Sequence, residues 1–204
     1  MKPKSQQSLP ASAFVTDSRP PQQPTVTLIV LSGLPGVGKT TIARELAVVL
    51  GATHVRIDSI EHSLRNAGMA VYDEGYRVAY AVAEDNLRLG QTVIADCVNP
   101  WPLTRLEWHS VAARAAVADH GPIRVLSVEL VCSDLDEHKR RVESRVPDIA
   151  HHTVPTWPEV MAHDYRPWDT ERLVIDTARL TVPQSIQTIL SASGLTLTSR
   201  QAAD

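Results

Sequence analysis

The sequence predicts an α/β domain of three layers, a parallel sheet of about five strands with helices on both faces. Two observations predict it. Short apolar runs alternate with helical patterns along most of the chain, which is the order of strand–helix–strand units. The runs are also continuous rather than apolar and polar by turns, as strands covered on both faces are. Such sheets bind ligands beyond the C-terminal ends of their strands, so chemical residues are expected just after each run.

The elements follow in order. Residues 1–25 are dominated by Pro, Gln and Ser and read as a disordered tail. "TVTLIVLS" (25–32) is a β-branched, buried strand. Residues 39–50 place Ile42, Leu46, Val49 and Leu50 on one helical face, and Gly51 ends that helix. A short strand is expected over 53–58, helices over 59–68 and 72–89, and a third strand at "TVIAD" (92–96). A helix over 103–119, a strand over 123–132 and a charged helix over 134–145 come next. Residues 146–170 carry four Pro, three His and two Trp and read as irregular. "RLVIDT" (172–177) is the last strand and 183–192 the last helix, so the folded body is 26–193 and 194–204 is a frayed end.

Composition narrows the function classes. A chain of 204 residues with net charge −3 lacks the basic excess of a dedicated nucleic-acid binder. No run approaches the roughly 18 apolar residues of a membrane span, and no secretory leader pattern opens the chain. Cys97 and Cys132 are far apart and fit neither a disulfide framework nor a zinc site, which suits reduced thiols in the cytoplasm. Beyond the first four residues only Lys39 and Lys139 remain as lysines, which makes the place of Lys39 informative.

"GLPGVGKTT" (33–41) follows the first strand and fits G-x-x-x-x-G-K-[ST] at Gly33, Gly38, Lys39 and Thr40. In such a loop the backbone N–H groups, here from Gly33, Leu34, Pro35, Gly36, Val37, Gly38, Lys39, Thr40 and Thr41 as far as each has one, wrap a phosphate. Glycine leaves room for that approach, and the next helix points its positive end at the anion. Lys39 is placed to reach the β- and γ-phosphates and the Thr40 hydroxyl to ligate Mg²⁺. ATP is expected over GTP, because no N-K-x-D guanine reader is present.

Acids stand at two further strand ends. Asp58 is either a base that takes the proton of an attacking hydroxyl or the N-cap of a helix. Asp96 is either a magnesium-holding acid or a turn former. Asn99, Arg105 and Arg65 are candidates for substrate contact, and Arg105 reads equally as a solvated helix residue. Arg141 and Arg145, four apart, could clamp a phosphoryl group in flight or form a solvated face paired with Glu137 and Glu143. The long segment after them suits a lid, about 138–170, that shields the reaction from water. Its His151, His152 and His163 lack zinc spacing, and Trp157 and Trp168 either pack the lid or stack on a base. Asp176 and Thr177 either lie near the adenine or simply end a strand. An acceptor pocket is expected from 58–90 and 97–108, among Glu61, Arg65, Tyr72, Tyr76, Tyr80 and Trp101.

The phosphate loop, Asp58, "VIADCVNP", the Arg141/Arg145 pair and "VIDT" resemble the P-loop kinases of the AAA-type ATP-binding group. That group includes polynucleotide 5′-kinases, chloramphenicol phosphotransferase-like and zeta-toxin-like kinases. The likeness runs over about 26–190. It implies a P-loop NTPase fold and an ATP- and Mg²⁺-dependent transfer of phosphate to the hydroxyl of a small-molecule acceptor. Asp58 would be the base and Arg141 and Arg145 the lid arginines. Two departures bear on substrate. Glu61 stands where polynucleotide kinases carry Arg in D-x-x-R, and Thr40 stands where adenylate kinases carry Gly. A nucleic-acid 5′-hydroxyl kinase and an ATP-binding switch or slow ATPase acting through a protein partner are the rival readings.

Overall fold

The computed structural model describes residues 26–116, 121–149 and 154–195. The first strand, β1 (Thr27–Ser32), is buried at every position and lies at the centre of the sheet. Around it stand β2 (Thr53–Arg56), β3 (Val93–Asp96), β4 (Arg124–Val131) and β5 (Leu173–Asp176) in the order β2-β3-β1-β4-β5, all parallel.

Because side chains alternate along a strand, β1 feeds two cores. Leu28 and Val30 pack with α3 (Glu74–Arg88) and α4 (Pro102–Ala115), through Ala79, Ala83, Leu87, Trp108 and Val111. Ile29 and Leu31 pack with α1 (Lys39–Leu50) and α7 (Val182–Ser193), through Ile42, Leu46, Ile186 and Ile189. α1 stops at Gly51 in the left-handed conformation, whose cap is closed by Ala52 N–H on Ala47 O at 2.9 Å. The Thr181–Gln184 capping box starts α7.

Four expectations are corrected. β2 ends at Arg56 and α2 (Ile57–Asn66) begins at once, so Asp58 sits in the first turn of a helix rather than at the end of a strand. The charged helix, α5 (Leu135–Glu143), is capped at Ser144, which leaves Arg145 beyond its end. The segment 146–170 is not wholly irregular, because a Thr156–Glu159 capping box starts the short α6 (Trp157–Met161). Gly194 and Leu195 are ordered: Gly194 caps α7 and Leu195 packs against the second core. The tail 1–25, residues 117–119 of the expected fourth helix, His151, His152 and the end 196–204 lie outside the described residues. Among the described residues no helix is long and apolar enough to cross a membrane.

The register aligns the ends of the strands. Asp96 pairs with Leu31 on one side and with Arg56 on the other. The C-terminal edge of the sheet thus brings the phosphate loop, Asp96 and the start of α2 together.

Candidate active site

The loop between β1 and α1 is shaped by its glycines. Gly33 has φ +139°, and a Cβ there would stand 2.3 Å from Leu130 O. Gly36 has φ +86°, and a Cβ would meet Val142 Cγ2 at 2.5 Å and the His138 ring at 3.3 Å. Buried His138 also holds the loop directly, with Nε2 2.8 Å from Pro35 O and the Trp157 ring edge-on to it at 5.2 Å. Pro35, Gly36, Gly38, Lys39, Thr40 and Thr41 line a cleft of about 1080 Å³, while Gly33, Leu34 and Val37 lie outside its lining. Lys39 Nζ donates to Gly33 O at 2.8 Å and to Leu34 O at 2.9 Å. Burial lowers its pKa, and the positive charge of Arg145 adds to that, against the pull of Asp96 and Asp58.

Asp96 is buried beside the loop, in register with Leu31 of β1. Burial alone would raise its pKa, but the His54 hydrogen bond (3.4 Å), the Lys39 charge and the Thr40 hydroxyl together hold it below the usual range. A buried carboxylate joined to the hydroxyl that follows Lys39 is an all-oxygen pair suited to a hard divalent cation. Asp58 is more exposed, at the mouth, with Oδ2 3.5 Å from Arg56.

Sequence reasoning did not single out Arg56, which stands at the centre of this charge network. Only 6% exposed, it donates from Nη1 and Nη2 to Asp148 at 2.7 and 3.1 Å. Its Nε lies 3.9 Å from Asp96 and has no hydrogen-bond partner. Asp148 also accepts from Arg44, and these partners hold its pKa well below the carboxylate range, against a smaller opposing effect of burial. The signal for Arg56 was present, since an arginine interrupting an apolar strand before an acid is costly unless paired. Asp148, among prolines, carried none.

Arg141 and Arg145 both line the cleft. Arg141 is no solvated residue. It pairs with Glu137 through Nε and donates from Nη1 to Thr177 Oγ1 at 2.9 Å and from Nη2 to Thr177 O at 3.1 Å. The Thr177 hydroxyl is itself 3.0 Å from Val37 O, so this arginine is joined to the phosphate loop. Asp176 accepts from Ser133 N–H and Oγ–H, so it ends its strand in a turn.

Two candidate substrate residues are buried in hydrogen bonds within the protein. Arg105 is 5% exposed and donates to the carbonyls of Asn99, Pro100, Arg166 and Pro167, with its guanidinium 4.2 Å from the Trp168 ring centre. It clamps backbone and is not a solvated residue. Asn99 is 1% exposed, donates from its amide to Ser32 Oγ at 3.0 Å and from its N–H to Tyr76 Oη at 2.8 Å. It shapes the turn after β3 at φ +54°. Arg65 lines the phosphate cleft and pairs with Glu61 at 2.8 Å.

A second cleft, of about 720 Å³, opens beside the first. Five of the six residues expected for an acceptor, Glu61, Tyr72, Tyr76, Tyr80 and Trp101, line it. Asp58, Glu61, Val98 and His163 line both clefts, so Asp58 stands where they meet.

Residues 28–157 match the AAA domain family. The chain belongs to that family. It is also 31% identical over 173 residues to the uncharacterized proteins Rv2004c of Mycobacterium tuberculosis and Mb2027c of Mycobacterium bovis. That covers 77% of this chain and 33% of theirs, so the chain spans about a third of the length of the curated relatives it matches. Among solved structures, the APS kinase CysC of Mycobacterium tuberculosis in complex with AMPPNP and APS superposes with a TM-score of 0.61 at 20% identity, over 85% of this chain and all of that one. A sugar kinase from Janibacter sp. gives 0.57 at 21% identity, over 82% and 94%. Chaetomium thermophilum Kti12 in complex with ADP-AlF3 gives 0.55 at 20% identity, over 81% and 98%. These likenesses establish the P-loop NTPase fold.

Proposed function

We propose that this AAA family member is an ATP-dependent phosphotransferase acting on a hydroxyl of a small molecule in the cytoplasm. The observation that carries the reading is convergence. The phosphate loop, Lys39, Thr40, Asp96, Arg141 and Arg145 line one cleft, and Asp58 stands where it opens into a second. A base at that junction is where an acceptor and a phosphoryl group would meet. Several fold neighbours being kinases of small molecules supports the reading.

The roles follow from placement. The loop and the N-terminus of α1 bind the phosphates of ATP. Thr40 and Asp96 would hold Mg²⁺, which supplies charge neutralisation on those phosphates. Lys39, drawn from its carbonyl partners, neutralises the transferring group together with Arg141 and Arg145. Asp58 accepts the acceptor's hydroxyl proton. The new bond joins that oxygen to the γ-phosphorus, the bond from γ-phosphorus to the bridging oxygen breaks, and ADP leaves with the electron pair.

The test is γ-labelled ATP incubated with a metabolite extract and, separately, with 5′-hydroxyl oligonucleotides, using wild type, Lys39→Ala and Asp58→Asn. Label on a small molecule in wild type alone, with ATP still bound by Asp58→Asn, supports the reading. Label on the oligonucleotide makes it a nucleic-acid end kinase. Free phosphate alone makes it an ATPase.

A further inference from the structure

The second cleft is built differently from a polyol or phosphate pocket. Tyr76 and Tyr80 stand at 5.9 Å between ring centres, and Tyr80 is set edge-on against buried Trp108 at 4.6 Å, so this wall is rigid. Each hydroxyl already has one partner in the protein: Tyr76 Oη accepts from Asn99 N–H, and Tyr80 Oη donates to Thr104 O at 3.2 Å. Trp101 Nε1 likewise donates to Asp164 at 3.1 Å. What these residues offer a ligand is chiefly ring surface, continued by Ile57, Pro100 and Leu103.

The charged groups point the same way. The carboxylates of Asp58, Glu61, Asp73 and Glu107 line the cleft. Arg77 is the single lysine or arginine among the lining residues, and it is committed to Asp73 at 2.8 Å. Glu61 and Glu107 hold Arg65 and Arg114, at 2.8 and 2.9 Å. An incoming anion would therefore find no uncommitted lysine or arginine among the lining residues, each lining carboxylate already holding its own arginine, whereas an apolar ring would displace water from aromatic walls.

We propose that this cleft selects an alcohol with a planar apolar body and no negative charge, whose hydroxyl is presented to Asp58. The inference rests on the phosphotransferase reading and names its acceptor class. Anionic acceptors, sugar acids and nucleotides fall outside that class.

The test is a matched set of alcohols, 3-phenylpropan-1-ol, 3-phenyllactate and gluconate, titrated calorimetrically into the full chain with Mg²⁺ and AMPPNP present. 3-Phenylpropan-1-ol is expected to bind at least about tenfold more tightly than 3-phenyllactate, which corresponds to ~1.4 kcal/mol. Gluconate is expected to give no heat of binding. Half-exposed Trp101 lies outside the phosphate cleft, so Trp101→Ala should weaken 3-phenylpropan-1-ol about fivefold while AMPPNP affinity attests the fold. No binding of 3-phenylpropan-1-ol at millimolar concentration, equal or tighter binding of either anion, or indifference to Trp101→Ala overturns the inference. Label transfer from γ-labelled ATP is read in parallel. Selective binding with no label on any alcohol or extract component would remove the phosphotransferase reading, and the acceptor assignment with it. Label transfer with an anion preferred would leave that reading standing and reject this one.

Discussion

The Arg56–Asp148 pair lends itself to a double-mutant cycle. Arg56→Gln leaves Asp96, Asp58 and Asp148 without their shared cation at the end of β2. Breaking a buried pair from one side costs about 3–5 kcal/mol. The low end applies here, because the Asp148 side chain is 31% exposed and can recover water. About 3 kcal/mol corresponds to a Tm lower by roughly 6–12 °C for a domain of this size. Asp148→Asn keeps one neutral acceptor for Nη1, so about 1.5 kcal/mol is expected. The coupling between the two should then be about 1.5 kcal/mol. The assay is urea denaturation of wild type, both single variants and the double variant, at pH 7 and near pH 2. Asp148 has a folded pKa below its unfolded value, so its contribution is complete above about pH 5 and fades as pH falls below ~3.9. The coupling should shrink accordingly at the lower pH. A pH 7 coupling under about 0.5 kcal/mol would show that Arg56 is sustained by Asp96 and Asp58 alone.

Three other predictions concern single residues. Gly36→Ala forces a left-handed alanine against Val142 and His138, so a loss of about 2–4 kcal/mol in urea and weaker AMPPNP binding by calorimetry are expected. Lys39→Met should abolish label transfer while leaving Tm unchanged or higher, because the buried ammonium is disfavoured by its surroundings and its charge costs stability at pH 7. Arg105→Lys loses the planar fork that reaches four carbonyls and the face of Trp168, and should cost about 2–3 kcal/mol by thermal unfolding, with AMPPNP affinity retained.

The phosphate loop was legible because its chemistry is local: glycines, a lysine and a threonine at fixed spacing between a strand and a helix. The aromatic cleft was largely legible too, since five residues expected there line it, although Arg65 turns to the neighbouring cleft. What escaped depends on contacts between distant segments. Arg105 and a solvated helix residue look alike in sequence until Arg166 and Pro167 arrive from 61 and 62 residues away. Arg56 is understood only with Asp148, 92 residues on. The spacing of Arg141 and Arg145 suggested one helical face, but α5 stops between them at Ser144, and the cleft reunites them. Helix ends are set by capping as much as by periodicity, so the boundary near Arg145 was the part least fixed by pattern.

Among the described residues, the segment after α5 is fastened to Arg56 through Asp148, to His138 through Trp157, to Trp101 through Asp164 and to Arg105 through the Arg166 and Pro167 carbonyls. A band held at both ends has no free tip to swing. The fastening at Asp148 is ionic and part-exposed, that at Arg105 a buried set of bonds to neutral carbonyls, so added salt loosens the first far more than the second. Any step that requires the band to release at Asp148 should therefore quicken with ionic strength. Phosphate binding in the same cleft should weaken with it, so dissociation and affinity would report different ends of one strap.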